Sequence, residues 1–253
     1  MLVFFNGFPA LTAYSLIPIA TGFALLYSYG FYGKALETEN TSTIVILSML
    51  VPVIIVVLAY VFLGQKLSSN EMIGFFIVLA GAAMISLESV ANIKLGNIFI
   101  KGFWLILTAI LIWSAMTLMI DYGLTKMPFW DYFALDTLGS ALAGLTLLAV
   151  PSMRRQIVGG LKSATARKHV WFNGNNLLDF FGQMSMKKAL AIAPSAGLVS
   201  VVAQVQSFYA IAIGIALTVF IPAVIKEDIS GKALAKKLIG ALIMFSGIYV
   251  LLT

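Results

Sequence analysis

Eight continuous apolar runs dominate this sequence, at roughly residues 10–32, 43–63, 70–87, 102–121, 132–150, 171–190, 196–223 and 232–252. Crossing the hydrocarbon core of a bilayer takes about 20 apolar helical residues. Lipid offers the backbone no hydrogen-bond partners, so runs of this length fold as spanning helices. Strands of a membrane barrel alternate at every second residue and are about ten residues long, whereas these runs are continuous and longer. The expected fold is therefore all-α, a polytopic transmembrane helix bundle of about eight spans. Apolar residues make up 61% of the chain and charged residues 10%. Soluble domains average roughly 45–50% and about 25%, and disordered chains are poorer still in apolar residues. Both classes are excluded.

The breaks between runs carry their own signals. Ser68 and Glu71 have the spacing of a capping box for the third helix. The run 196–223 is too long for a vertical span and should tilt or bend. The longest break, 151–170, holds Arg154, Arg155, Lys162, Arg167 and Lys168. It reads as a loop lying on anionic headgroups. Its Gly159-Gly160-Leu161-Lys162-Ser163 lacks the spacing of a phosphate-binding loop. The chain has no cysteine, and His169 is its one histidine, so no thiolate or histidine-cluster metal site and no other cofactor site is legible. Its net charge of +6 does not indicate nucleic acid, because basic residues in such chains flank the spans. The start, MLVFFNGFPALTAY, has no basic region of the kind that opens a cleavable signal peptide.

The sequence repeats itself. Lys34-Ala35-Leu36 recurs as Lys188-Ala189-Leu190, a shift of 154. At that shift Val45 meets Val199 and Pro52 falls on Gln206. Ile73-Gly74 and Gly81 match Ile239-Gly240 and Gly247 at a shift of 166. A third Lys232-Ala233-Leu234 lies outside this register. The first three runs thus correspond to the sixth, seventh and eighth. Corresponding helices are an odd number of spans apart, so the two copies cross the membrane in opposite senses. Inverted repeats mark many secondary transporters, with the substrate near the midplane. Residues 1–92 form the first, incomplete repeat and 93–253 the second.

Pro52, the stretch Phe62-Leu63-Gly64-Gln65-Lys66-Leu67-Ser68, and Gly74 with Gly81 together resemble the second half of an EamA domain of the drug/metabolite transporter superfamily. Trp113-Ser114 sits where that family often has Trp-Gly. The resemblance covers essentially the whole chain and implies a secondary transporter. There are departures. Gln65 replaces the glutamate of a Gly-Glu turn, Gln206 replaces a proline, and Asp136 lies about where many members have an arginine. Members usually have ten helices, and the repeat arithmetic predicts that two are missing before Met1. A second copy of the chain in a homodimer, lipid, or a missing segment would fill that gap.

Most acids, including Glu71, Glu88, Asp121, Asp131, Glu227 and Asp228, fall at span ends and read as solvated boundaries or caps. Asp179 falls near the middle of the sixth run. A carboxylate there is costly unless it faces a polar cavity, which makes it a site candidate by default. At about 100° per residue, Asn175, Asn176 and Gln183 lie within roughly 60° of it. This polar stripe must face protein or water. It suits a substrate or proton site, or a hydrogen-bonded network joining helices. Ser200 and Gln204 in the seventh run, Trp113 and Thr117 in the fourth, and Tyr29 in the first complete the predicted substrate-binding set.

Three readings follow. The leading one is a transporter of a small organic metabolite, by export or exchange with alternating access, proton coupling through Asp179 and a multi-pass location in the plasma or inner membrane. A nucleotide-sugar carrier is its relative within the superfamily. The second is a non-transporting membrane protein or remnant. The third is an intramembrane enzyme, which one histidine, no cysteine and a single deep acid argue against. Orientation has two answers. Twelve of the sixteen lysines and arginines follow odd-numbered runs, which places both ends outside, while the family resemblance places both in the cytoplasm.

Overall fold

A chain this apolar must satisfy its backbone within each segment, and helices do that. The computed structural model describes residues 9, 11–38, 44, 47–86, 101–220 and 230–253. Among the described residues there is no strand. The helices are α1 (Leu16–Thr38), α2 (Leu50–Leu63), α3 (Ser69–Ser86), α4 (Lys101–Leu124), α5 (Phe129–Ala149), α6 (Pro151–Ser163), α7 (Ala166–Ile192), α8 (Ala196–Val202), α9 (Gln206–Phe220) and α10 (Gly231–Leu252). Among the described residues four stretches are long and apolar enough to cross a membrane: Gly102–Leu124, Phe129–Ala149, Ala196–Phe220 and Gly231–Leu251. The all-α membrane fold is thus as expected. Glu88, Glu227, Asp228 and the start of the second repeat lie outside the described residues.

The local signals read from sequence appear in the structure. Ser68 and Glu71 form a reciprocal capping box. The Ser68 amide donates to Glu71 Oε2 at 2.6 Å and the Glu71 amide to Ser68 Oγ at 3.2 Å. The long seventh run is interrupted by a 3-10 turn, Ala203–Val205, between α8 and α9. The break at 151–170 is different from expectation. Residues 151–163 are helix α6, not loop. Pro151 stands in the first turn, where its missing N–H costs nothing and its fixed φ favours helix.

Two compact units divide the chain. Unit 1 comprises 1–30 and 115–194, and unit 2 comprises 31–114 and 195–253. Each draws on both halves of the sequence.

Unit 2 is closed by α3 and α10. A Cβ on Gly74 would lie 2.8 Å from the Gly247 carbonyl oxygen, and one on Gly81 would lie 2.7 Å from that of Gly240. As the numbering rises along α3 it falls along α10, so the two helices run antiparallel, backbone against backbone. These are the same four glycines that the repeat matched, paired crosswise in the contact: Gly74 with Gly247 and Gly81 with Gly240. The two helices meet here across their small residues, as close membrane packing requires. Phe75, Val78, Ala82, Val201, Ala241, Met244 and Leu251 form the buried core around them. A second core gathers Ala35, Ile44, Ile106, Ala109 and Ile110. Gly64 ends α2 with φ +65°, a left-handed conformation that suits glycine. The next side chain, Gln65, accepts the Ala196 amide at 3.1 Å and so caps α8.

Unit 1 contains most of α1, the end of α4, and α5, α6 and α7. Here α1 and α5 touch through Gly22 and Gly139. A methyl on Gly22 would strike the backbone of Asp136 to Ser140, and one on Gly139 the backbone of Ile19. Ser140 Oγ donates to the Gly22 carbonyl at 3.1 Å across the same contact. That close approach brings polar side chains of α1 and α5 face to face.

Candidate functional site

A continuous chain of polar side chains runs through unit 1. Its centre is an ion pair. Lys187 Nζ lies 3.1 Å from Asp136 Oδ2, and the two side chains are 2% and 5% exposed. Five hydrogen bonds extend from it in two directions.

On one side, Thr21 Oγ1 lies 2.6 Å from Asp136 Oδ1 and 2.9 Å from the Pro18 carbonyl. Its single proton goes to the carboxylate, the charged and nearer acceptor. The Tyr132 hydroxyl, 3.0 Å away, then donates to Thr21. Thr21 and Tyr132 are fully buried. On the other side, Lys187 Nζ donates to Gln183 Oε1 at 3.2 Å. Gln183 Nε2 donates to the Tyr29 hydroxyl at 3.3 Å, and Tyr29 donates to Asp179 Oδ1 at 3.2 Å. Every bond along the chain points towards one of the two carboxylates, from Tyr132 through Thr21 to Asp136 and from Lys187 through Gln183 and Tyr29 to Asp179, so the donors and acceptors are mutually consistent.

Helix geometry explains the alignment. Asp179, Gln183 and Lys187 are four residues apart on α7 and share one face. Tyr132 and Asp136 repeat that spacing on α5, and Thr21 and Tyr29 come from α1. The Phe133 ring lies 5.8 Å from Lys187 Nζ and packs edge-on against Phe180 at 5.2 Å. It walls the pair with an apolar face that also attracts the cation.

Of the predicted residues, the structure joins Asp179, Gln183 and Tyr29. Asn175 and Asn176 are exposed and, among the described residues, stand outside the chain. Thr117 is buried on α4 in unit 1. Trp113, Ser200 and Gln204 belong to unit 2. Trp113 packs against Tyr32 with ring centroids 5.3 Å apart. Ser200 is buried and donates to the Gly197 carbonyl of its own helix at 2.7 Å, and Gln204 is buried in the 3-10 turn.

Two corrections concern α7. Asp179 was expected in an enclosed polar cavity, but every residue from Val170 to Gly182 is exposed. Asp179 is the open end of the chain. The closed end is Asp136 and Lys187, neither of which the sequence reading placed in the site. By position in sequence Lys187 sits with Lys188 near the end of the sixth run, where a basic pair reads as a flank of the span. It is instead helical and fully buried. Its neighbour Lys188 is exposed and sits 4.9 Å over the Phe129 ring. The spacing of 179, 183 and 187 was the signal that could have separated the two lysines.

Comparison with known proteins agrees with this architecture. Residues 1–87 match the EamA-like transporter family. No curated protein matches the chain. A solved structure described as "Crystal structure of protein" is 16% identical, with a TM-score of 0.61, over 92% of this chain and 73% of that one. That likeness is one of fold alone.

Proposed function

We propose that the chain is a secondary transporter of a small organic metabolite in the plasma or inner membrane, working by alternating access. The family is one of membrane transporters, which supports carriage rather than catalysis. The observation that carries the reading is the buried Asp136–Lys187 pair. Charged groups at membrane depth are expensive and mark substrate or ion pathways. A buried pair contributes little net stability, yet removing one member is costly because the other charge is left alone. A substrate with a charged group would take the place of one partner. The site would then be neutral when its own pair is closed or when substrate fills it, and strained between. That favours exchange over leak.

Asp179, at the exposed end, would sense protons or a cationic substrate group. The Gln183 amide does not readily take up and release a proton, so the link to Lys187 would be electrostatic rather than a proton wire.

The test is uptake into proteoliposomes of labelled amino acids, nucleosides, sugars and carboxylates, with and without the same compound inside. Saturable uptake stimulated by internal substrate is expected. Asp179→Asn should keep the fold and change the pH profile of uptake. No uptake of any compound by folded protein would favour the non-transporting reading.

A further inference from the structure

Helix α6 has no part in the polar chain, and all thirteen of its residues are exposed. It begins two residues after α5 ends at Ala149, a stretch long and apolar enough to span. At 1.5 Å per residue it is about 20 Å long, too short to cross a hydrocarbon core of about 30 Å. A helix in that place lies along the membrane. Its two sides differ. Met153, Ile157 and Leu161 recur every four residues and form one apolar stripe. Arg155, Gln156 and Lys162 fall on the other side, and Arg154 borders the stripe, where its long stem can bend to the surface.

Charge selects the surface. Between Pro151 and Val170 there are five lysines and arginines and no acidic residue. Arg167 and Lys168 stand in the first turn of α7, whose amide ends repel cations. Cations placed there are stabilised by anions outside the helix. Trp171 follows one turn later and is 70% exposed, in the order of basic residue then aromatic ring that marks a membrane interface.

We infer that α6 and the first turn of α7 form a docking surface for the anionic leaflet of a bilayer, with the Met153–Ile157–Leu161 stripe buried among acyl chains and the basic residues on acidic phospholipid headgroups. This inference is independent of what the protein transports.

The full-length chain, which has no cysteine of its own, is given one cysteine by Leu161→Cys or by Gln156→Cys and labelled with a fluorophore. It is placed in nanodiscs of phosphatidylcholine alone, or of phosphatidylcholine with phosphatidylglycerol. Acrylamide quenching is then read. Position 161 should be better shielded than 156, and phosphatidylglycerol should widen that difference. Neutralising Arg154, Arg155 or Lys162 with glutamine should lower the lipid-dependent gain by roughly five-fold for each charge. Raising salt to 1 M, where the Debye length is about 3 Å, should remove the gain. Equal quenching at 161 and 156 in both lipids would overturn the inference. So would shielding that ignores phosphatidylglycerol and the three charges. Shielding that grows with the number of chains per disc would assign the surface to a second copy and would also overturn it.

Discussion

The two units hold their helices together by opposite means. In unit 2, α3 and α10 meet through glycines, with backbone almost touching backbone and an apolar core around the contact. In unit 1 a glycine contact between α1 and α5 is present too, but beside it lies a chain of polar groups with a buried ion pair at its centre. Lipid tails are as apolar as leucine, so burying apolar area does little to join helices within a membrane, and close packing of small residues does more. The glycine seam is therefore what a stable membrane fold needs. The ion pair is not, since apolar residues of similar volume would hold the same helices at equal or lower cost. A group retained against its cost points to use. On the proposed reading, stability belongs to the seam and function to the pair.

The strongest way to break that assignment is to remove half of the pair. Asp136→Leu leaves the Lys187 ammonium buried without its counter-charge, and Lys187→Met does the reverse. Each should cost about 3–5 kcal/mol, read as a fall in melting temperature of the purified protein, with transport lost. A smaller effect belongs to the seam. Gly81→Ala puts a methyl 2.5 Å from the Met244 amide nitrogen, and the backbone must move apart. The expected loss is about 1–3 kcal/mol, with transport per folded molecule close to normal when melting and uptake are measured on the same preparation. The smallest effect is at the cap. Ser68→Ala removes one arm of the capping box on α3 and should cost about 1 kcal/mol, again without a change in uptake by the folded fraction.

Sequence reading reached these two regions unequally. Everything that depends on short-range pattern was legible. The capping box needs only Ser68 and Glu71 at the right spacing, and the structure has both of its hydrogen bonds. The four glycines are legible as a repeat, although nothing in the sequence says that Gly74 meets Gly247 and Gly81 meets Gly240. Length alone shows that the run 196–223 is too long for a vertical span and must tilt or bend.

Where the reading fell short, a residue has two opposite meanings. Pro151 breaks a helix from within and starts one from its first turn, so the same residue fits a loop and the start of α6. Lys187 and Lys188 look alike as a basic pair near a span end. Their side chains are turned about 100° apart on the helix, which buries one and exposes the other. Asp136 was noticed only as a departure from a family pattern. Its partner lies 51 positions later on another helix, a distance that no local spacing encodes. Asp179 was found because a lone acid in an apolar run is conspicuous. The buried centre of the same chain was inconspicuous because its two charges sit among aromatic and helix-flanking residues.

The most direct test replaces both members of the pair at once, in the variant Asp136→Leu with Lys187→Met. Its melting temperature and its uptake into proteoliposomes are measured beside those of the natural chain and the two single variants. If the pair is kept for function, the double variant should regain most of the stability that either single variant loses and should still transport nothing. A double variant that is stable and transports at the natural rate would contradict the account, because the ion pair would then be dispensable to the carrier.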